Sequence, residues 1–91
     1  MRMPKNRVPS HPGEVLKEIY LDDMGLTQVD LAKKIGCRVV KINEIINGKR
    51  GVTPEFAIDL GEALGTGAEL WANLQCQYQL WNAYQKRKKA S

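Results

Sequence analysis

At 91 residues with a formal net charge of +4, the chain has room for one hydrophobic core and no second domain. Its mild basicity is compatible with an anionic partner without requiring one, and no apolar run approaches the ~20 residues that span a bilayer. Cys37 and Cys76 form no C-x-x-C pair and have His11 as the lone histidine, short of the about four spaced ligands of a zinc site, so no metal or other cofactor is expected.

Residues 1–10 carry Arg2, Lys5 and Arg7 with Pro4 and Pro9 and predict a mobile arm. The basic start leads into Pro9, Ser10, His11 and Pro12 rather than an apolar stretch, so no signal peptide is expected and a cytoplasmic protein is. In that setting the two cysteines are expected as reduced thiols, with a single disulfide as the alternative.

A first helix opens at His11 or Pro12, since proline suits the first helical position and Glu14 and Glu18 sit near the positive end of the dipole. Val15, Leu16, Ile19 and Tyr20 give it one buried face at three-to-four spacing. Gly25 ends it near Asp23 or Met24. Thr27 caps a second helix, with Asp30 in the first turn and Val29, Leu31, Ala32 and Ile35 on the apolar side. Gly36 stops it, and a third helix begins within about three residues, the spacing of a helix-turn-helix. Val39, Ile42, Ile45 and Ile46 are periodic there, and Asn47-Gly48 closes it. After a loop over residues 49–52, Thr53, Pro54 and Glu55 start a fourth helix with Phe56, Ala57, Leu60, Ala63 and Leu64 inward and Gly65 as its stop. A last helix runs from about Ala68 to about Lys86, and residues 87–91 form a basic tail. No strand alternation or repeat interrupts the pattern. The expected fold is all-α, with five helices and one domain over residues 11–86.

In a helix-turn-helix the second helix lies in the major groove and its first residues reach base edges. With Ile42, Ile45 and Ile46 inward, Arg38, Val39, Val40, Lys41, Asn43 and Glu44 are left on or near the outer side. Lys41 suits guanine or a phosphate, Asn43 adenine and Glu44 cytosine, while Val39 and Val40 suit a thymine methyl. From residue 33 to residue 51 stand Lys33, Lys34, Arg38, Lys41, Lys49 and Arg50 against Glu44 alone, which makes this the phosphate side. Gln28 opens the second helix, where an amide and a free backbone N–H can hold a phosphate. Lys41, Asn43 and Glu44 rank first as base readers; Arg38, Lys49 and Gln28 rank as phosphate anchors.

The stretches HPGEVLKE, GLTQVDLAKKIG, INEIINGKRGVTPEFAIDL and ALGTGAELWANLQCQYQLW resemble the HigA-type antitoxins, also labelled virulence-associated protein I, within the lambda-repressor-like (XRE) helix-turn-helix proteins. The likeness runs from about His11 to about Trp81. It implies a five-helix lambda-repressor-like domain that dimerises through its C-terminal helix and binds a palindromic operator in its own promoter. It also implies neutralisation of a HigB-type toxin, an mRNA-cleaving ribonuclease. It places Gln28, Lys41, Asn43, Glu44, Asn47 and Lys49 on positions that face DNA. The chain departs from the family at Arg38, where a small N-cap is usual, at Val39 and Val40, where polar readers are common, and at Gly67-Ala68, which replaces a frequent Ser-Pro.

Trp71, Leu74, Tyr78, Trp81 and Tyr84 recur at helical spacing and are candidates for core, dimer seam or toxin groove, with self-association favoured for the distal half. His11 has no nucleophile or carboxylate constellation around it and is expected as a cap, so no catalysis is expected. Three readings remain: an autoregulating antitoxin, a stand-alone repressor of the same fold, and a protein-interaction module without DNA binding.

Overall fold

The computed structural model describes residues 9–90. Of the arm expected over residues 1–10, residues 1–8 lie outside the described residues, Pro9 is buried and Ser10 is exposed. Among the described residues the elements are helical: α1 (Pro12–Val15), which passes directly into a π-helical stretch (Leu16–Asp22), α2 (Gln28–Ile35), α3 (Val39–Ile46), α4 (Pro54–Leu64) and α5 (Ala68–Ala90).

His11 caps α1 through its ring: Nδ1 accepts from the Gly13 amide at 2.9 Å. Pro12 follows at the first helical position, where its missing N–H costs nothing. Gly13 is required by packing, because a Cβ there would overlap the Ile45 carbonyl at the end of α3. Helix one therefore rests its first turn directly on the backbone of the third helix.

The π-helical stretch changes which residues of helix one face inward. A π turn holds more residues than an α turn, so positions five apart share a face. Leu16 and Leu21 are both buried, whereas Ile19 is 51% exposed. The α-periodic face expected from Leu16, Ile19 and Tyr20 is corrected accordingly: Leu21 takes the place of Ile19, and Tyr20 stays half-buried against the Trp71 ring at 5.3 Å.

α2 starts in a reciprocal capping box, in which Thr27 Oγ1 accepts from Asp30 N at 3.0 Å and Asp30 Oδ2 accepts from Thr27 N at 3.1 Å. Gly36 ends it with φ +86°, the left-handed conformation that glycine adopts without strain. Only Cys37 and Arg38 then precede α3. Thr53 Oγ1 caps α4 by accepting from Phe56 N at 3.1 Å.

One core joins these elements. Leu16, Leu31, Ile42, Ile45, Phe56, Leu60 and Trp71 are all within 2% of full burial. Trp71 reaches it from α5, and its Nε1 donates to Thr66 Oγ1 at 2.8 Å. Trp71 is thus core of this chain and has no surface to offer a second copy, which corrects its place among the dimer candidates. α5 continues past the expected end at Lys86 to Ala90. No glycine or proline stops it, and Arg87, Lys88 and Lys89 suit the negative end of its dipole.

Candidate nucleic-acid interface

α3 buries Ile42 and Ile45 completely and turns its opposite side to solvent. Val39 and Val40, in its first turn, are 44% and 52% exposed. Asn43 follows one turn on and Asn47 caps the C-terminus, both exposed. A run of side-chain amides ties this face to α2. Asn47 Nδ2 donates to the Asn43 carbonyl at 3.0 Å and to Asn43 Oδ1 at 3.1 Å. Asn43 Nδ2 in turn donates to Gln28 Oε1 at 3.2 Å. The capping box fixes the turn in which Gln28 stands, so the first residue of α2 and the middle of α3 present one surface. Asp30 serves only that start: bonds from the Thr27 backbone and then its hydroxyl hold its carboxyl below the usual carboxylate range.

Cations ring this surface. Arg38 precedes α3, and Lys49 and Arg50 follow it, all exposed. Arg38 makes no side-chain cap bond to the helix it precedes, as its long side chain would suggest.

Two of the three residues ranked as base readers are engaged elsewhere. The Lys41 ammonium lies 4.2 Å from the centroid of the buried Phe56 ring, and the residue is half-buried. A cation over a ring face is held by the ring quadrupole, so Lys41 faces α4 rather than the outer side. The Glu44 carboxylate sits 3.0 Å from the Arg50 guanidinium. Asn43 alone of the three keeps its expected place. The thiol of Cys37, beside the turn, is half-buried and pushed up by burial, with Lys41 opposing and Asp59 reinforcing the shift; it is a poor nucleophile. Cys37 and Cys76 are both free.

His11 is buried, and its ring meets Tyr78 edge-on at 4.9 Å. Because Nδ1 accepts the Gly13 bond, the proton belongs on Nε2 and the ring is neutral. Burial lowers its pKa, with Glu14 opposing. Tyr78 is therefore partly committed inside the chain. Leu74 and Trp81 are half-buried, and Leu80 and Tyr84 are 54% and 59% exposed.

One positioning residue was not singled out from the sequence. Gln75 Oε1 accepts from Val52 N at 2.8 Å, and Gly51 packs against the same amide. This holds the loop after α3 against α5. The signal was present in the Glu-Leu-Trp-Ala-Asn-Leu-Gln run, where Gln75 is the last residue. Among the described residues no group of three or more His, Cys, Asp or Glu is placed to hold a metal ion, and no helix is long and apolar enough to cross a membrane.

Two helices joined by a glycine turn, with an amide-lined outer face ringed by cations, define a helix-turn-helix module, and the sequence profile of the helix-turn-helix family matches residues 16–71. Virulence-associated protein I of Dichelobacter nodosus is 42% identical over 84 residues, 91% of this chain and 78% of that protein. Antitoxin HigA-1 of Vibrio cholerae serotype O1 is 41% identical over 93 residues, 98% of this chain and 86% of that one. The structure of the Pseudomonas aeruginosa antitoxin HigA with the higBA promoter superposes with a TM-score of 0.85 at 34% identity, covering 90% of this chain and 89% of that one. The chain belongs to the HigA-type antitoxins of the helix-turn-helix family.

Proposed function

We propose that the chain is an antitoxin that binds a palindromic operator in its own promoter as a homodimer, represses its own transcription and neutralises a HigB-type mRNA-cleaving toxin. The observation that carries the DNA-binding part is the outer face of α3. Val39, Val40, Asn43 and Asn47 stand clear of the core there, tied to Gln28 and flanked by Arg38, Lys49 and Arg50. An α-helix with this face fits a major groove about 12 Å wide, and the flanking cations fall where phosphates run. That a related antitoxin is solved with its promoter supports the same mode here.

The dimer seam on this reading is the middle and distal part of α5: Leu74, Tyr78 and Trp81 on one face, with the exposed Tyr84 and Leu80 beside it. The chain covers that apolar stretch only in part, with Leu80 and Tyr84 more than half exposed, and large aromatic anchors suit an interface. On this reading the protein binds rather than catalyses, and it works in the cytoplasm, where both its DNA and the mRNA are.

The test has two arms. A duplex of the upstream promoter should be retarded by the purified chain, with affinity falling steeply as salt rises. Co-expression with the small reading frame beside its own should rescue growth, and the two products should co-purify. DNA binding without rescue would leave a stand-alone repressor; rescue without DNA binding would leave a protein-interaction module.

A further inference from the structure

The face of α3 also indicates what it reads. Resting on the DNA-binding reading above, we infer that each half-site is recognised through A·T pairs, with thymine 5-methyl groups packed on Val39 and Val40 and an adenine held by Asn43.

Three observations converge on this. First, the front of the helix is apolar. Val39 and Val40 are about half exposed in the first turn, the part that reaches base edges. The apolar group that the major groove displays is the thymine methyl. Second, within α3 itself the residues suited to G·C pairs are turned away or engaged, and Arg38, before the helix, is assigned to phosphate. A lysine is the partner for guanine O6 and N7, and a glutamate for cytosine N4, but Lys41 lies over Phe56 and Glu44 is paired with Arg50.

Third, the amide of Asn43 is set in one orientation. The Asn43 carbonyl can only accept, so the Asn47 group facing it is the NH2. That same NH2 faces Asn43 Oδ1, which leaves Asn43 Nδ2 to donate to Gln28 Oε1. Flipping any one amide would set donor against donor or acceptor against acceptor. Asn43 thus keeps one N–H and one lone pair, the combination that adenine N7 and N6–H require. Gln28 keeps its NH2, a donor suited to phosphate.

The experiment takes the promoter duplex retained by the wild-type chain and remakes it with 2′-deoxyuridine in place of every thymine, and separately with 7-deaza-2′-deoxyadenosine in place of adenine. Removing the methyls should weaken binding about fourfold for each methyl contacted. Removing N7 should weaken it as well. The Val39→Ala/Val40→Ala double variant, checked for helicity, should lose most of its preference for thymine over uracil. Equal affinity of the wild-type chain for the thymine and uracil duplexes would overturn the inference. So would a uracil penalty unchanged in the double variant, which would place its origin in duplex shape. The wild-type arms stand even if the variant fails to fold. Failure to retain the unmodified duplex at low salt would overturn the DNA-binding reading itself, and this inference with it.

Discussion

Replacing Trp71 tests whether this indole belongs to the core or to a dimer seam. It is fully buried, donates at 2.8 Å to Thr66 Oγ1 and packs against Tyr20. Truncation of a buried tryptophan to alanine costs ~3–5 kcal/mol, and the lost hydrogen bond adds ~1 kcal/mol. A domain of this length has about 5–14 kcal/mol in total, so Trp71→Ala should lie near the edge of folding. Trp71→Phe is the more informative change. It keeps most of the ring, gives up the Nε1 bond and leaves a small void, together worth ~2 kcal/mol. Urea unfolding followed by circular dichroism, at two protein concentrations about tenfold apart, separates the effects. A core role lowers the midpoint by a similar amount at both concentrations, with dimer dissociation unchanged. If Trp71→Phe raised the dimer dissociation constant while the chain's own stability stayed intact, the placement of Trp71 would be wrong.

Burial lowers the pKa of His11, so below the ordinary histidine pKa of ~6.5 the unfolded chain binds more protons than the native one. Its cap should be fully present above about pH 6.5 and be lost as pH falls through the depressed native value, seen as a falling urea midpoint. His11→Asn, which keeps an acceptor at the cap, should flatten that slope; an unchanged slope would assign it to another group. Lys41→Ala should cost ~0.5–1 kcal/mol of stability through the lost Phe56 contact and leave base preference unaltered in binding selections. A changed preference would return Lys41 to the reading face. Trp81→Ala should shift dimer to monomer in light scattering, with a loss of ~2 kcal/mol or more, and weaken operator binding through lost two-site engagement; a fully dimeric variant would refute the seam.

What the sequence made legible was mostly local. Thr27 with Asp30 and Thr53 with Pro54 act within about a turn of their own positions, so their caps could be read directly. The glycine stop at Gly36 is equally local, and with it the helix-turn-helix. The inward face of helix one was misplaced because an α-helical period was assumed where the backbone makes π turns, which moves Leu21 in and Ile19 out. The roles of Lys41, Glu44 and Trp71 depended on partners elsewhere: Phe56 on α4, Arg50 in the loop, and Thr66 with Tyr20. Spacing alone does not reveal such partners. The outward placement of Asn43 was legible; the amide run that orients it was not, since Gln28 lies 15 residues away.

The bond between Gln75 and Val52 has a mechanical consequence. α5 has 23 residues, about 35 Å at 1.5 Å per residue, and Gln75 grips it near the end that meets the loop. In the proposed dimer the seam holds α5 to its twin, while Gln75, the buried Trp71 and the His11–Tyr78 contact hold the reading module to α5. Two reading helices must land one helical turn apart, about 34 Å. The stiffness of that seating, with the Gln75 amide as its tie to the loop after α3, therefore bears on which half-site spacing the dimer can span.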